Sequence, residues 1–196
     1  MPYFAAGMKL AFVQDWFNAN GGAEKVAGAI IALYEKEEMD IYGLFDKFPQ
    51  DARADILKGK PVKTSVLQYV PLISKLYRYF LPVMPWLMKR FNLRGYDLIL
   101  STSHAVAKGF RSTPDTLNIC YCHTPLRPIW DMYDDYAKGH WLGRTGFYRW
   151  YVQYLRRWDA ATANNVHYFI ANSEHIRQRI MRSYGRESKV IYPPVR

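Results

Sequence analysis

Cysteine is scarce: the 196 residues hold only Cys120 and Cys122. That excludes a disulfide scaffold and favours a reducing, cytoplasmic setting. With one residue between them, the two are expected to face opposite sides of a strand and to stay out of bridging range. Long apolar runs are missing too. The most apolar stretch, 66–88, is interrupted by Lys75, Arg78 and the prolines at 71, 82 and 85. A membrane span needs about 20 mostly apolar residues. No basic segment followed by an apolar one opens the chain, so no signal peptide is read there, and residues 1–7 read as a leader without structural weight.

Acidic residues are the next deficit. Lys and Arg number 27 against 17 Asp and Glu, a net charge of +10. From Ile56 to Tyr96 there is no acid, yet Lys58, Lys60, Lys63, Lys75, Arg78, Lys89, Arg90 and Arg94 lie there among seven aromatic rings. A second acid-free stretch, 136–158, carries Lys138, Arg144, Arg149, Arg156 and Arg157 among eight more. Cations interleaved with amphipathic rings suit an anionic membrane surface, where each basic side chain near the headgroups contributes about 1 kcal/mol. Nucleic acid offers the same phosphate chemistry. It is set aside because no nucleic-acid motif accompanies the charge, whereas Leu81, Val83, Met84, Leu87 and Met88 add apolar bulk. Solvated helices with their rings turned inward are the plainer alternative. The expectation is that Lys75, Arg78, Lys89 and Arg90 meet anionic lipid.

What is present is an alternation of strands and helices. Residues 9–13, 40–45, 97–101, 117–122, 168–171 and 189–192 read as strands, with a short strand or loop within 61–70. Helices are expected over 23–38, in the proline-broken stretch 71–88, over 147–158, and from a Ser173 cap to a stop at Gly185. This order predicts an α/β domain over residues 8–196, a single Rossmann-like doubly wound parallel sheet.

Ligands of such sheets bind at the carboxyl ends of the strands. Four loops therefore matter. Gly21-Gly22 leads into the first helix, where backbone can approach a phosphate. Ser101-Thr102-Ser103-His104 and Cys122-His123-Thr124-Pro125 each follow an apolar strand, which brings two imidazoles to one rim. Asn172-Ser173-Glu174 is the fourth, and helix capping alone would explain it. Several signatures are missing: GxGxxG, a Walker lysine, a GxSxG elbow, CxxC and HxxxH. Dinucleotide, P-loop, serine-hydrolase and metal sites are correspondingly disfavoured.

Five motifs in order resemble the family-4 retaining glycosyltransferases, in particular the bacterial mannosyltransferase-like group that builds surface polysaccharides. They are Asn18-x-Asn-Gly-Gly-Ala-Glu-Lys-Val26, Ser101-Thr-Ser-His-Ala-Val-Ala-Lys-Gly109, Tyr121-Cys-His-Thr-Pro-Leu-Arg-Pro-Ile-Trp-Asp131, Ile170-Ala-Asn-Ser-Glu-His-Ile-Arg-Gln-Arg-Ile180 and Val190-Ile-Tyr-Pro-Pro-Val195. The resemblance implies the acceptor-binding half of a two-domain GT-B fold, ending at the interdomain hinge and inactive alone without the C-terminal donor-binding domain. It implies transfer of a hexose, mannose being one candidate, from a nucleotide-sugar to a glycan or lipid-linked glycan. Neither a metal nor another cofactor is implied. By resemblance, His123 sits near the reaction centre as the catalytic position. Gly21, Gly22, His104, Ser173 and Glu174 line the donor side, and Arg127, Trp130 and Asp131 the acceptor side. The expected location is cytoplasmic, peripheral on the inner face of the cell membrane. The competing reading is a non-catalytic membrane-surface or partner-binding module with a degenerate transferase fold.

Overall fold

The structure, a computed structural model, describes residues 7–19, 21–130 and 146–194. The expected leader, Gly7 excepted, and the expected acceptor-side Asp131 lie outside the described residues. Seven parallel strands form one sheet in the order β3-β2-β1-β4-β5-β6-β7. They are β1 (Leu10–Gln14), β2 (Met39–Gly43), β3 (Val62–Thr64), β4 (Leu98–Ser103), β5 (Leu117–Cys122), β6 (Tyr168–Ala171) and β7 (Ser188–Val190). The helices are α1 (Gly22–Leu33), α2 (Gln50–Leu57), α3 (Ile73–Leu76), α4 (Met84–Lys89), α5 (Arg127–Trp130), α6 (Gly146–Ala163) and α7 (Glu174–Tyr184). The order reverses between β1 and β4. This is the switch point at which a doubly wound sheet opens a ligand crevice. The expected α/β Rossmann-like class is the observed one.

β1 and β4 are buried along their whole length, as a strand covered on both faces must be. Leu10, Phe12, Ile41, Leu98 and Leu100 pack on one face with Ala27, Ile31, Ile56 and Leu57 from α1 and α2. Ala11, Val13 and Ile99 point the other way, into a cluster with Ile73, Met84, Leu87 and Met88 and with Val152 and Leu155 of α6. Each fully buried side chain of this size contributes about 1.5–3 kcal/mol. Register places Cys120 beside Ser101, and Ser101 beside Val13, so the α7 cluster with Cys120 and Cys122 lies on that same second face.

Three local expectations are corrected. Residues two apart on a strand share a face, so Cys120 and Cys122 point the same way, both buried and both free thiols. The first helix ends at Leu33, five residues short of expectation, because the charged run that follows buries nothing. Pro85 does not break a helix but starts one: it stands in the first turn of α4, where its missing N–H costs nothing.

Candidate functional site

The turns after β1, β4, β5 and β6 meet at one rim of the sheet. Asp15 directly follows β1 and is fully buried. Its Oδ2 accepts the backbone N–H groups of His104 at 2.7 Å and Ala105 at 3.1 Å, and its Oδ1 accepts those of Val106 at 2.5 Å and Ala107 at 2.6 Å. His104 Nδ1 lies 3.1 Å from the same Oδ2. One carboxylate thereby folds the turn after β4 and stands beside its histidine. Trp16 packs edge-on against the His104 ring at 4.7 Å.

His123 follows β5, and its backbone N–H donates to the Ser103 carbonyl at 2.9 Å. The His104 and His123 ring centres are 6.5 Å apart, so the two imidazoles share the rim. Burial, helped by the neighbouring His104, lowers the His123 pKa to about 4, which keeps the ring neutral. Its Nε2 is shut from solvent and has no hydrogen-bond partner among the described residues. Asn18 Oδ1, in the turn after β1, is in the same condition. An unsatisfied buried polar atom costs about 1–3 kcal/mol, a cost that a ligand hydroxyl or N–H can remove.

At the α1 end, Glu24 reaches back so that its carboxylate accepts the Gly21 N–H at 3.1 Å. Gln14 Nε2 lies 3.4 Å from the other Glu24 oxygen, and Gln14 Oε1 accepts the Thr102 hydroxyl at 3.0 Å. This chain joins β1, β4 and the glycine turn. Burial raises the Glu24 pKa, against the pull of the backbone hydrogen bonds. A Cβ on Gly22 would meet open space.

The fourth turn divides its two candidates. Ser173 Oγ accepts the Ile176 N–H at 3.3 Å and caps α7, while the adjacent Asn172 donates to the His123 carbonyl at 3.2 Å. Glu174 instead points into solvent and takes Arg177 Nε on both oxygens, at 2.8 and 2.9 Å. Arg177, through these hydrogen bonds, lowers its pKa. Of the residues expected on the acceptor side, Arg127 opens α5 and is exposed. The one donor of Trp130, its Nε1–H, is given to Asp159 Oδ2 at 2.7 Å, and its ring lies beneath Arg156 at 5.6 Å and edge-on to Tyr184 at 6.3 Å.

Sequence reasoning missed Asp15 and the pair Lys108–Asp159. Asp15 carried a usable signal, an acid directly after an apolar strand at the switch point. Lys108 and Asp159 are both buried and ion-paired, and Tyr184 also donates to Asp159, at 2.9 Å. Nothing in their spacing of 51 residues marks them as partners. Among the described residues no group of three or more His, Cys, Asp or Glu could hold a metal ion. The open clefts lined by Trp86, Lys89, Arg90 and Arg111 and by Arg149, Trp150, Tyr154 and Arg157 lie away from the rim. Of the four expected lipid contacts, Lys75, Arg78, Lys89 and Arg90 are all exposed. Arg78 lies over the Tyr77 ring at 5.7 Å and Arg90 over that of Trp86 at 4.7 Å.

A seven-stranded parallel sheet whose switch-point turns carry two imidazoles and a glycine turn defines a Rossmann-like domain with a candidate site at that rim. Within that class, residues 20–196 match the model of Glycosyltransferase Family 4, and the chain belongs to that family. Among solved structures, the apo form of the lipopolysaccharide outer core galactosyltransferase WaaB is similar at 15% identity with a TM-score of 0.46. The likeness covers 96% of this chain and 46% of that one, so the chain spans less than half the length of that structure. No curated protein matches the chain.

Proposed function

We propose that the chain is the acceptor-binding half of a retaining glycosyltransferase. It would act with a C-terminal donor-binding domain to move a hexose, with mannose as one candidate, from a nucleotide-sugar to a glycan or lipid-linked glycan in surface polysaccharide synthesis. The observation that carries this reading is the partnerless His123 Nε2 beside His104 at the switch-point rim of a family-4 chain. A neutral imidazole there can exchange a hydrogen bond with a sugar hydroxyl without repelling or trapping charge. Gly22, where a Cβ would meet open space, leaves room at the N-terminus of α1 for a diphosphate, where the helix dipole and backbone amides favour negative charge, while the Gly21 N–H is held by Glu24. The leaving diphosphate would take the acceptor proton on the same face of the sugar. This route asks for no protein nucleophile and no metal. Ser173 acts through the α7 cap. Glu174 reaches a donor only by leaving Arg177, and Arg127, the Trp130 ring and Asp131 are assigned to the acceptor.

The membrane part of the reading rests on a placement that the sequence alone does not give. The two acid-free stretches are far apart in the chain, yet 66–89 and α6 cover the same face of the sheet. Their outer surfaces expose Tyr79 at 80%, Trp86 at 58% and Trp150 at 62%, among exposed cations. No helix among the described residues is long and apolar enough to cross a membrane. We assign this face to the anionic inner surface of the cell membrane, and the protein to its cytoplasmic side.

The test is sugar transfer from a panel of nucleotide-sugars by the complete reading frame containing this chain, wild type against His123→Ala. Turnover falls by at least about tenfold, as expected when a hydrogen bond of roughly 1.4 kcal/mol to the transition state is removed. Equal turnover removes His123 from the mechanism.

A further inference from the structure

We propose that Asp15 is the positioning residue of the rim: it fixes the tautomer and pose of His104, so that His104 presents Nε2 as a hydrogen-bond acceptor for a substrate hydroxyl. The proposal deepens the sugar-transfer reading and rests on it for the identity of the hydroxyl, but not for the tautomer.

Both carboxylate oxygens of Asp15 are fully used. Oδ1 accepts two backbone N–H groups and Oδ2 accepts two more, and His104 Nδ1 lies 3.1 Å from Oδ2. Oxygens that accept four N–H groups turn only lone pairs toward Nδ1, and a bare Nδ1 at 3.1 Å would set lone pair against lone pair, so the proton belongs on Nδ1. In the neutral ring that leaves the lone pair on Nε2. The backbone bonds give this arrangement its precision. They fix the backbone of residues 104–107 to the same side chain that meets the ring, so the carboxylate stands at a set place beside the imidazole, and a ring turned about its side-chain bonds would forfeit the Nδ1 contact. Trp16, edge-on at 4.7 Å, restrains the ring further. About 30% of the His104 side chain remains exposed, whereas Asp15 has no exposure, so the histidine alone can reach a ligand. Asp15 thus joins the ends of β1 and β4 and acts through another residue.

His167 provides an internal reference. Its Nδ1 accepts the Asn118 N–H at 3.1 Å, so in the neutral ring its proton sits on Nε2, the opposite tautomer. The experiment is a long-range proton–nitrogen NMR correlation on the chain labelled with nitrogen-15 at histidine, at mildly alkaline pH. His104 is assigned by the loss of its signals in His104→Gln. Wild type is expected to show His104 protonated at Nδ1 and His167 at Nε2. In Asp15→Asn, His104 is expected to lose its fixed Nδ1–H pattern while His167 keeps its own, a selective change that a merely structural role would not produce. A wild-type His104 protonated at Nε2, or exchanging between both forms, overturns the proposal. So does a folded Asp15→Asn protein in which His104 is unchanged. Should that variant fail to fold, the wild-type spectrum decides. None of these outcomes requires sugar transfer, so failure of the tautomer and failure of the transferase reading are distinguishable.

Discussion

Burial and the neighbouring His104 hold the His123 ring neutral down to a pKa of about 4, against an ordinary value of 6.5. Between those two values the unfolded chain binds a proton that the folded chain refuses. Stability therefore rises with pH across this window and is lost as pH falls through it. The shift corresponds to on the order of 3 kcal/mol. Urea unfolding at pH near 4.5 and near 7.5 should show a smaller loss on acidification for His123→Asn than for wild type. Equal losses would show that His123 titrates normally. Both histidines were legible in the sequence because each directly follows an apolar strand, and strand ends converge. Asp15 obeys the same rule, yet its role was hidden, since the backbone N–H groups it collects have no letter in the sequence. Glu174 stands out in the sequence only by its place in a motif. The side chain is drawn off by Arg177 one turn along, a pairing that i,i+3 spacing makes natural.

At the scale of elements, two adjacent residues lock onto two others. Lys108 pairs with the buried Asp159, and a Cβ on Gly109 would overlap the ring of Trp158. The segment after β4 is thereby pressed onto α6, which explains physically why a lysine and a glycine close the motif beginning at Ser101. Removing one partner of a buried pair strands the other charge, at roughly 3–5 kcal/mol. Lys108→Met should lose about 3 kcal/mol in urea unfolding with an unchanged denaturant slope, because Trp130 and Tyr184 still donate to Asp159. A loss within about 0.5 kcal/mol, the range of surface substitutions, would mean that the pair is not closed in solution. The strands themselves were readable, since β1 and β4 are short apolar runs covered on both faces. Helix ends were less so: the stop at Leu33 follows from what the next turn fails to bury, which is a tertiary fact.

At the scale of the molecule, the sheet separates two duties. Its strand ends gather the rim, and one of its faces carries the exposed cations and rings. The turn after β1 touches both: Asn18 donates to the Ser74 carbonyl at 3.1 Å, and Trp16 packs on Tyr77 at 4.8 Å. Docking of α3 on a surface would bring the rim close to a lipid-linked acceptor. Replacing Lys75, Arg78, Lys89 and Arg90 together by Gln should weaken binding to anionic vesicles by roughly a thousandfold, at about 1 kcal/mol per cation. Sedimentation with acidic and with neutral vesicles measures it. Equal binding of wild type to both kinds would refute an electrostatic contact. The sequence held the charge pattern but not its geometry, because coverage of one face by 66–89 and α6 is set by the crossovers.

On the proposed function, a nucleotide-sugar is held at the rim formed by the turns after β1, β4, β5 and β6. A crystal structure of the complete protein soaked with a non-reactive nucleotide-sugar analogue tests it most directly. The diphosphate should lie against Gly21 and Gly22, with a sugar hydroxyl within hydrogen-bond distance of His123 Nε2. An analogue bound at the opposite rim, or bound with His123 still partnerless, would contradict the account.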